Sequence, residues 1–84
     1  MLLRIDTFVV EGTTVIQIIG QLAGEGVAEF ERTLQSVRAP WVVDASLLKK
    51  ADPEGIKTLR SIVEDGGELL NVSPYIQLLL NCET

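Results

Sequence analysis

The sequence predicts a small α/β domain: a four-stranded mixed sheet with helices packed mainly on one face. Three observations carry this. Short β-branched runs alternate with stretches whose apolar residues repeat every three or four positions. Proline and glycine punctuate the boundaries between them. The 84 residues are 46% hydrophobic and 23% charged, which suits one globular domain spanning residues 1–84.

The first strand is read over residues 2–10, with Leu3, Ile5, Thr7 and Val9 on one side. Glu11-Gly12-Thr13-Thr14 is a turn signal. Residues 15–19, Val-Ile-Gln-Ile-Ile, are nearly all apolar and suit a more central strand that pairs with the first as an antiparallel hairpin. Gly20 is expected to end it. Val27, Phe30, Leu34 and Val37 then form a helical stripe. Glu25, Glu29 and Glu31 lie early and Arg32 and Arg38 late, in accord with the helix dipole. Ala39-Pro40 is expected to stop this helix.

Residues 41–44 form a third short strand, closing on Asp44, and residues 45–51 read as a connecting loop. Asp52-Pro53-Glu54-Gly55 opens the second helix, with Asp52 as N-cap, Pro53 at the first helical position and Glu54 in the first turn. Its apolar face is Ile56, Leu59, Ile62 and Val63, and Gly66-Gly67 ends it. A fourth strand over 68–72 leads to Ser73-Pro74, a second cap-plus-proline start, and to a short apolar helix over 75–80. The order is ββαβαβα. Helical crossovers demand parallel pairing after the hairpin. Functional loops of such a sheet gather beyond the carboxyl ends of the parallel strands, which directs attention to residues 44–55.

Composition narrows the function. The chain has no histidine, and so lacks the commonest general base, metal ligand and triad partner. A single cysteine, Cys82, makes neither an internal disulfide nor a cysteine metal site. Seven Lys and Arg against twelve Asp and Glu give a net charge of −5, which argues against nucleic-acid binding and against a polybasic membrane contact. The N-terminal stretch carries charge and no small-residue cleavage pattern, and no apolar run approaches a membrane span. A cytoplasmic protein without membrane insertion is expected.

Asp44, Asp52 and Glu54 are the candidate carboxylate cluster, read either as a metal or acid/base site or as strand-end and helix-cap residues. Gly20, Gly24 and Gly26 precede a helix but match no phosphate-binding fingerprint. Ser46, Ser61 and Ser73 have no histidine to activate them. Lys49 and Lys50, with Lys57 and Arg60, suggest a small basic rim. The last helix, with Tyr75, Ile76 and Leu78 to Leu80, is apolar on more than one side and is a candidate homodimer contact.

Taken in order, these segments resemble STAS domains, the fold of bacterial anti-sigma factor antagonists. Residues 15–22 resemble the family's strand and G-x-L signature, and Val42-Val43-Asp44-Ala45-Ser46 its third strand and exit. Asp52-Pro53-Glu54-Gly55-Ile56 with Leu59 resembles the D-S-S-G-x-x-x-L helix start, and Asn71-Val72-Ser73-Pro74 the later strand and helix. The resemblance implies a non-enzymatic protein–protein regulatory module with no cofactor. Its partner would be an anti-sigma factor that is also a serine kinase, docking on Asp44, Ser46, Asp52, Glu54, Gly55, Lys57 and Arg60. The alternatives are a STAS subunit on the ATPase of a lipid ABC transporter, and a small nucleotide-binding or enzyme module using Asp44, Asp52 and Glu54. In the family a serine just before the helix glycine is phosphorylated, and the added charge blocks docking. Here Glu54 stands at that position, and Ala23 replaces a frequent acidic residue.

Overall fold

A computed structural model describes residues 3–81; Leu2, read as part of the first strand, and Cys82 lie outside the described residues. The elements are β1 (Leu3–Val10), β2 (Thr13–Leu22), α1 (Glu25–Ser36), β3 (Trp41–Ala51), α2 (Pro53–Glu64), β4 (Leu69–Leu70) and α3 (Pro74–Asn81). They form a four-stranded mixed sheet in the order β1-β2-β3-β4. β1 is antiparallel to β2, and β2, β3 and β4 are mutually parallel. The sequence-derived fold class and element order are those observed.

The hairpin turn is two residues, Glu11 and Gly12, both at positive φ (50° and 81°), as a type I′ turn requires. Both parallel crossovers step in the same direction, so a right-handed connection puts α1 and α2 on the same side of the sheet. There they share one core with α3. Leu3, Ile16, Ile18, Leu22, Val43, Ala45 and Leu48 from the sheet meet Val27, Phe30, Ile56, Leu59, Ile62 and Ile76 from the helices. No polar or charged residue is buried among the described residues.

Several boundaries depart from the sequence expectation. Gly20 does not end β2. At φ 97° it bends the strand at a shift in register, and β2 continues to Leu22, which is fully buried and pairs with Ala51. α1 ends at Ser36, before Pro40. Val37 leaves the helix in extended backbone, and residues 37–40 return the chain to the sheet, where the Thr14 amide donates to the Pro40 carbonyl at 3.0 Å. β4 has only two residues, because Asn71 turns left-handed at φ 56°.

The largest correction concerns residues 45–51, expected as a loop and observed as strand. β3 runs unbroken from Trp41 to Ala51, and its register against β2 shifts twice. Gln17 pairs with Asp44 but Ile19 with Leu47, and Gly20 pairs with Leu48 but Gln21 with Lys50. Each shift places one extra β3 residue in a bulge. The helix-facing residues of β3 are therefore Val43, Ala45, Leu48 and Ala51, at spacings of two, three and three. That is not the alternation by which a strand is recognised.

Candidate functional site

β3 delivers Asp52 to the end of the sheet where α1 and α2 begin. One Asp52 carboxylate oxygen accepts from the Gly55 amide at 2.7 Å, capping α2. The other accepts from the amide of Gly24, the N-cap of α1, at 3.1 Å. The Asp52 amide itself donates to the Leu22 carbonyl at 3.0 Å. One side chain thus joins the exit of β2 to the start of both helices. The amides of Gly55 and Gly24 outweigh the small cost of burial and hold its carboxyl below the ordinary value of 3.8. Gly55 is a glycine for a steric reason: a Cβ there would lie 2.4 Å from the Leu22 carbonyl oxygen. Asp52 and Gly55 are accounted for by this junction.

Asp44 lies elsewhere. It sits eight residues back along β3, about 25 Å away at the usual strand rise. It shares a register row with Gln17 and Leu70, on the sheet face that no helix covers. Burial tends to raise its carboxyl pKa. Hydrogen bonds from the Ser46 backbone and side chain, then from Asn71 and Gln17, overcome this and leave it below 3.8. The Ser46 amide donates at 2.9 Å, across the first bulge. Asp44, Asp52 and Glu54 are therefore not one cluster. Among the described residues no three groups of metal-ligating type come together.

The basic residues are also dispersed. Lys49 and Lys50 belong to β3, not to a loop. Arg60 reaches the far end of α3, where its guanidinium donates to the Leu80 carbonyl at 3.1 and 3.3 Å and to that of Leu79 at 3.4 Å. A cation there suits the negative end of a helix.

Glu54 and Lys57 do come together. Both line a groove of about 670 Å³ between α1 and α2. Its apolar lining is Leu34, Trp41 and Ile62, and Glu31 and Asp65 add further negative charge. Ser61 also lines it, in a chain with no histidine to activate it. The lining thus combines apolar side chains with three carboxylates, Glu31, Glu54 and Asp65, and one ammonium, Lys57. Trp41 is a lining residue that sequence reasoning did not single out. Its half-burial at the junction of helix and strand is the signal, and it appears only once α2 is placed beside α1.

At the opposite end, α3 buries Ile76 and leans Leu79 and Leu80 on the core, while Tyr75 and Leu78 stay exposed. No helix among the described residues is long and apolar enough to cross a membrane. In comparison with known proteins, the chain matches no protein-family model and no curated protein.

Proposed function

We propose that the chain is a non-catalytic partner-binding module of the kind its STAS resemblance implies, with the partner seated along the α1–α2 groove. The observation that carries this is the position of Glu54 and Lys57. Both were picked as contact residues from sequence, and both line a groove containing a half-buried Trp41. Asp52 and Gly55 support that surface from beneath by fixing where α2 begins. The partner is a cytoplasmic regulator of the serine-kinase, anti-sigma type. The chain lacks the phosphorylatable serine, and Glu54 presents a permanent charge in its place.

Affinity capture from a native extract, followed by mass spectrometry, tests the proposal. Wild type should retain an ATPase-fold regulator, and Glu54→Lys or Lys57→Glu should weaken retention at least tenfold, equivalent to about 1.4 kcal/mol. With that regulator and labelled ATP, wild type should take up no phosphate and Glu54→Ser should take up some. Recovery of a transporter ATPase instead would favour the lipid-transport alternative. Retention indifferent to both charge reversals would remove the groove from the proposal.

A further inference from the structure

The lining of the α1–α2 groove is graded by exposure. Ile62 is buried, Leu34 and Trp41 are half-buried, and Glu31, Glu54, Lys57 and Asp65 are exposed. Apolar side chains at depth give a partner something to pack on, and the charges above them select which partner it is. Both flanking helices have 12 residues. At the usual rise that is about 18 Å of groove, a length that suits a peptide segment.

Charge identifies the occupant. Three carboxylates stand in the lining against one ammonium. The charged residues adjoining them in the chain do not offset this. Arg38 and Arg60 stand against Glu64 and Glu68, Arg60 is turned to the carbonyls of α3, and Arg32 is bonded to Glu29. Glu54 and Lys57 are three apart on α2, the spacing of a helical ion pair. Yet among the described residues neither of them, nor Glu31 or Asp65, makes a side-chain ion pair or hydrogen bond. The three carboxylates are open to a cationic partner, while a second copy would bring the same acidic excess and be repelled. Arginine suits this lining better than lysine. A guanidinium forks onto carboxylates and stacks on an indole ring such as that of Trp41, whereas an ammonium is a strongly hydrated point charge.

We infer that the groove receives an arginine-bearing segment of the partner protein. An apolar side chain of that segment packs beside Leu34 and Ile62, and its guanidinium groups meet Glu31, Glu54, Asp65 and the Trp41 ring. Lys57 takes an acidic residue of the same partner. This rests on the reading that a partner occupies the groove, and adds the chemistry that the partner presents there.

Trp41 is the only tryptophan of the chain, so its fluorescence reports the groove directly. The full chain is titrated to about 1 mM with a tryptophan-free peptide of about 12 residues, in which leucines recur every three or four positions among arginines and alanines. The Trp41 emission should shift and saturate. Glutamate in place of the arginines should abolish the shift, and lysine should weaken it. Glu54→Lys and Asp65→Lys, checked for fold by circular dichroism, should each raise the dissociation constant at least about tenfold. Glu11→Lys, the same change of charge on the hairpin turn, should leave it unchanged. Lys57→Glu should bind this acid-free peptide at least as tightly as wild type. An unmoved Trp41, a glutamate or lysine peptide that binds as well, or a shift indifferent to Glu54→Lys and Asp65→Lys overturns the inference. The peptide comparison on wild type decides the case even where a variant fails to fold. If the arginine peptide fails while a captured regulator is still lost with Glu54→Lys, the inference falls and the partner reading stands. If the peptide binds as expected and the extract yields no regulator, the inference stands and the identity of the partner falls.

Discussion

On the helix side of the sheet, Ile16, Ile18, Val43 and Ala45 are completely buried. One position along the same strands, Val15, Ile19 and Val42 are only half-buried, and Phe8 and Leu47 more exposed still. The residue types on the two sides of β2 are nearly the same; what differs is whether a second layer lies over them. Apolar composition therefore reports that β2 wants cover, while topology decides which side receives it within the chain. Two crossovers of one hand, stepping in one direction, can only put both helices on one side.

The sharpest way to break this comparison is to truncate neighbours. Ile18→Ala should cost about 2–5 kcal/mol in chemical denaturation, because it removes a fully enclosed side chain and leaves a cavity. Ile19→Ala, at a half-buried position, should cost no more than about 1 kcal/mol. Equal losses at the two positions would mean that the second face is covered within a single chain.

A smaller effect is expected at the junction under the helices. Gly55→Ala should destabilise by about 1–3 kcal/mol, since its methyl would meet a backbone carbonyl that has no room to retreat. A neutral result would show that α2 slides freely against β2, and that the junction does not set the groove. An inert Gly55→Ala with intact partner capture would separate fold from docking on that surface.

The smallest effect concerns Asp52. Asp52→Asn should lose about 1 kcal/mol at neutral pH, because an amide keeps only one accepting oxygen for the two amides of Gly24 and Gly55. The carboxyl is held below 3.8 in the folded chain, so the folded state gives up its proton more readily than the unfolded state does. Its contribution is fully present above about pH 5 and fades as pH falls through 3.8 and below. Thermal melts from pH 6 to pH 3 should show the wild-type advantage over Asp52→Asn shrinking with acid. A difference that is constant across that range would argue that the charge is not what joins the two helix starts.

Much of the fold is legible in local chemistry. Asp52-Pro53 and Ser73-Pro74 start helices as expected, with the Gly55 and Ile76 amides donating to the Asp52 and Ser73 side chains. Such capping acts within three residues and needs no tertiary context. The candidate site was less legible. Arg60 stands one turn from Lys57, yet it turns away to the carbonyls of α3, twenty residues along the chain. Asp44 and Asp52 look close in a chain read as a loop, and are far apart in a strand.

The sequence by itself determined the element order, the helix starts, the β1–β2 hairpin and the acidic, histidine-free character of the surface. These follow from residue type and short-range spacing. Only the tertiary structure decided that residues 45–51 are a strand, because two bulges change the spacing of buried residues from two to three and hide the β-period. It alone decided that Glu54, Lys57 and Trp41 share a groove. It alone left one sheet face without a layer, since the hand of a crossover is a property of the packed chain and not of any stretch within it.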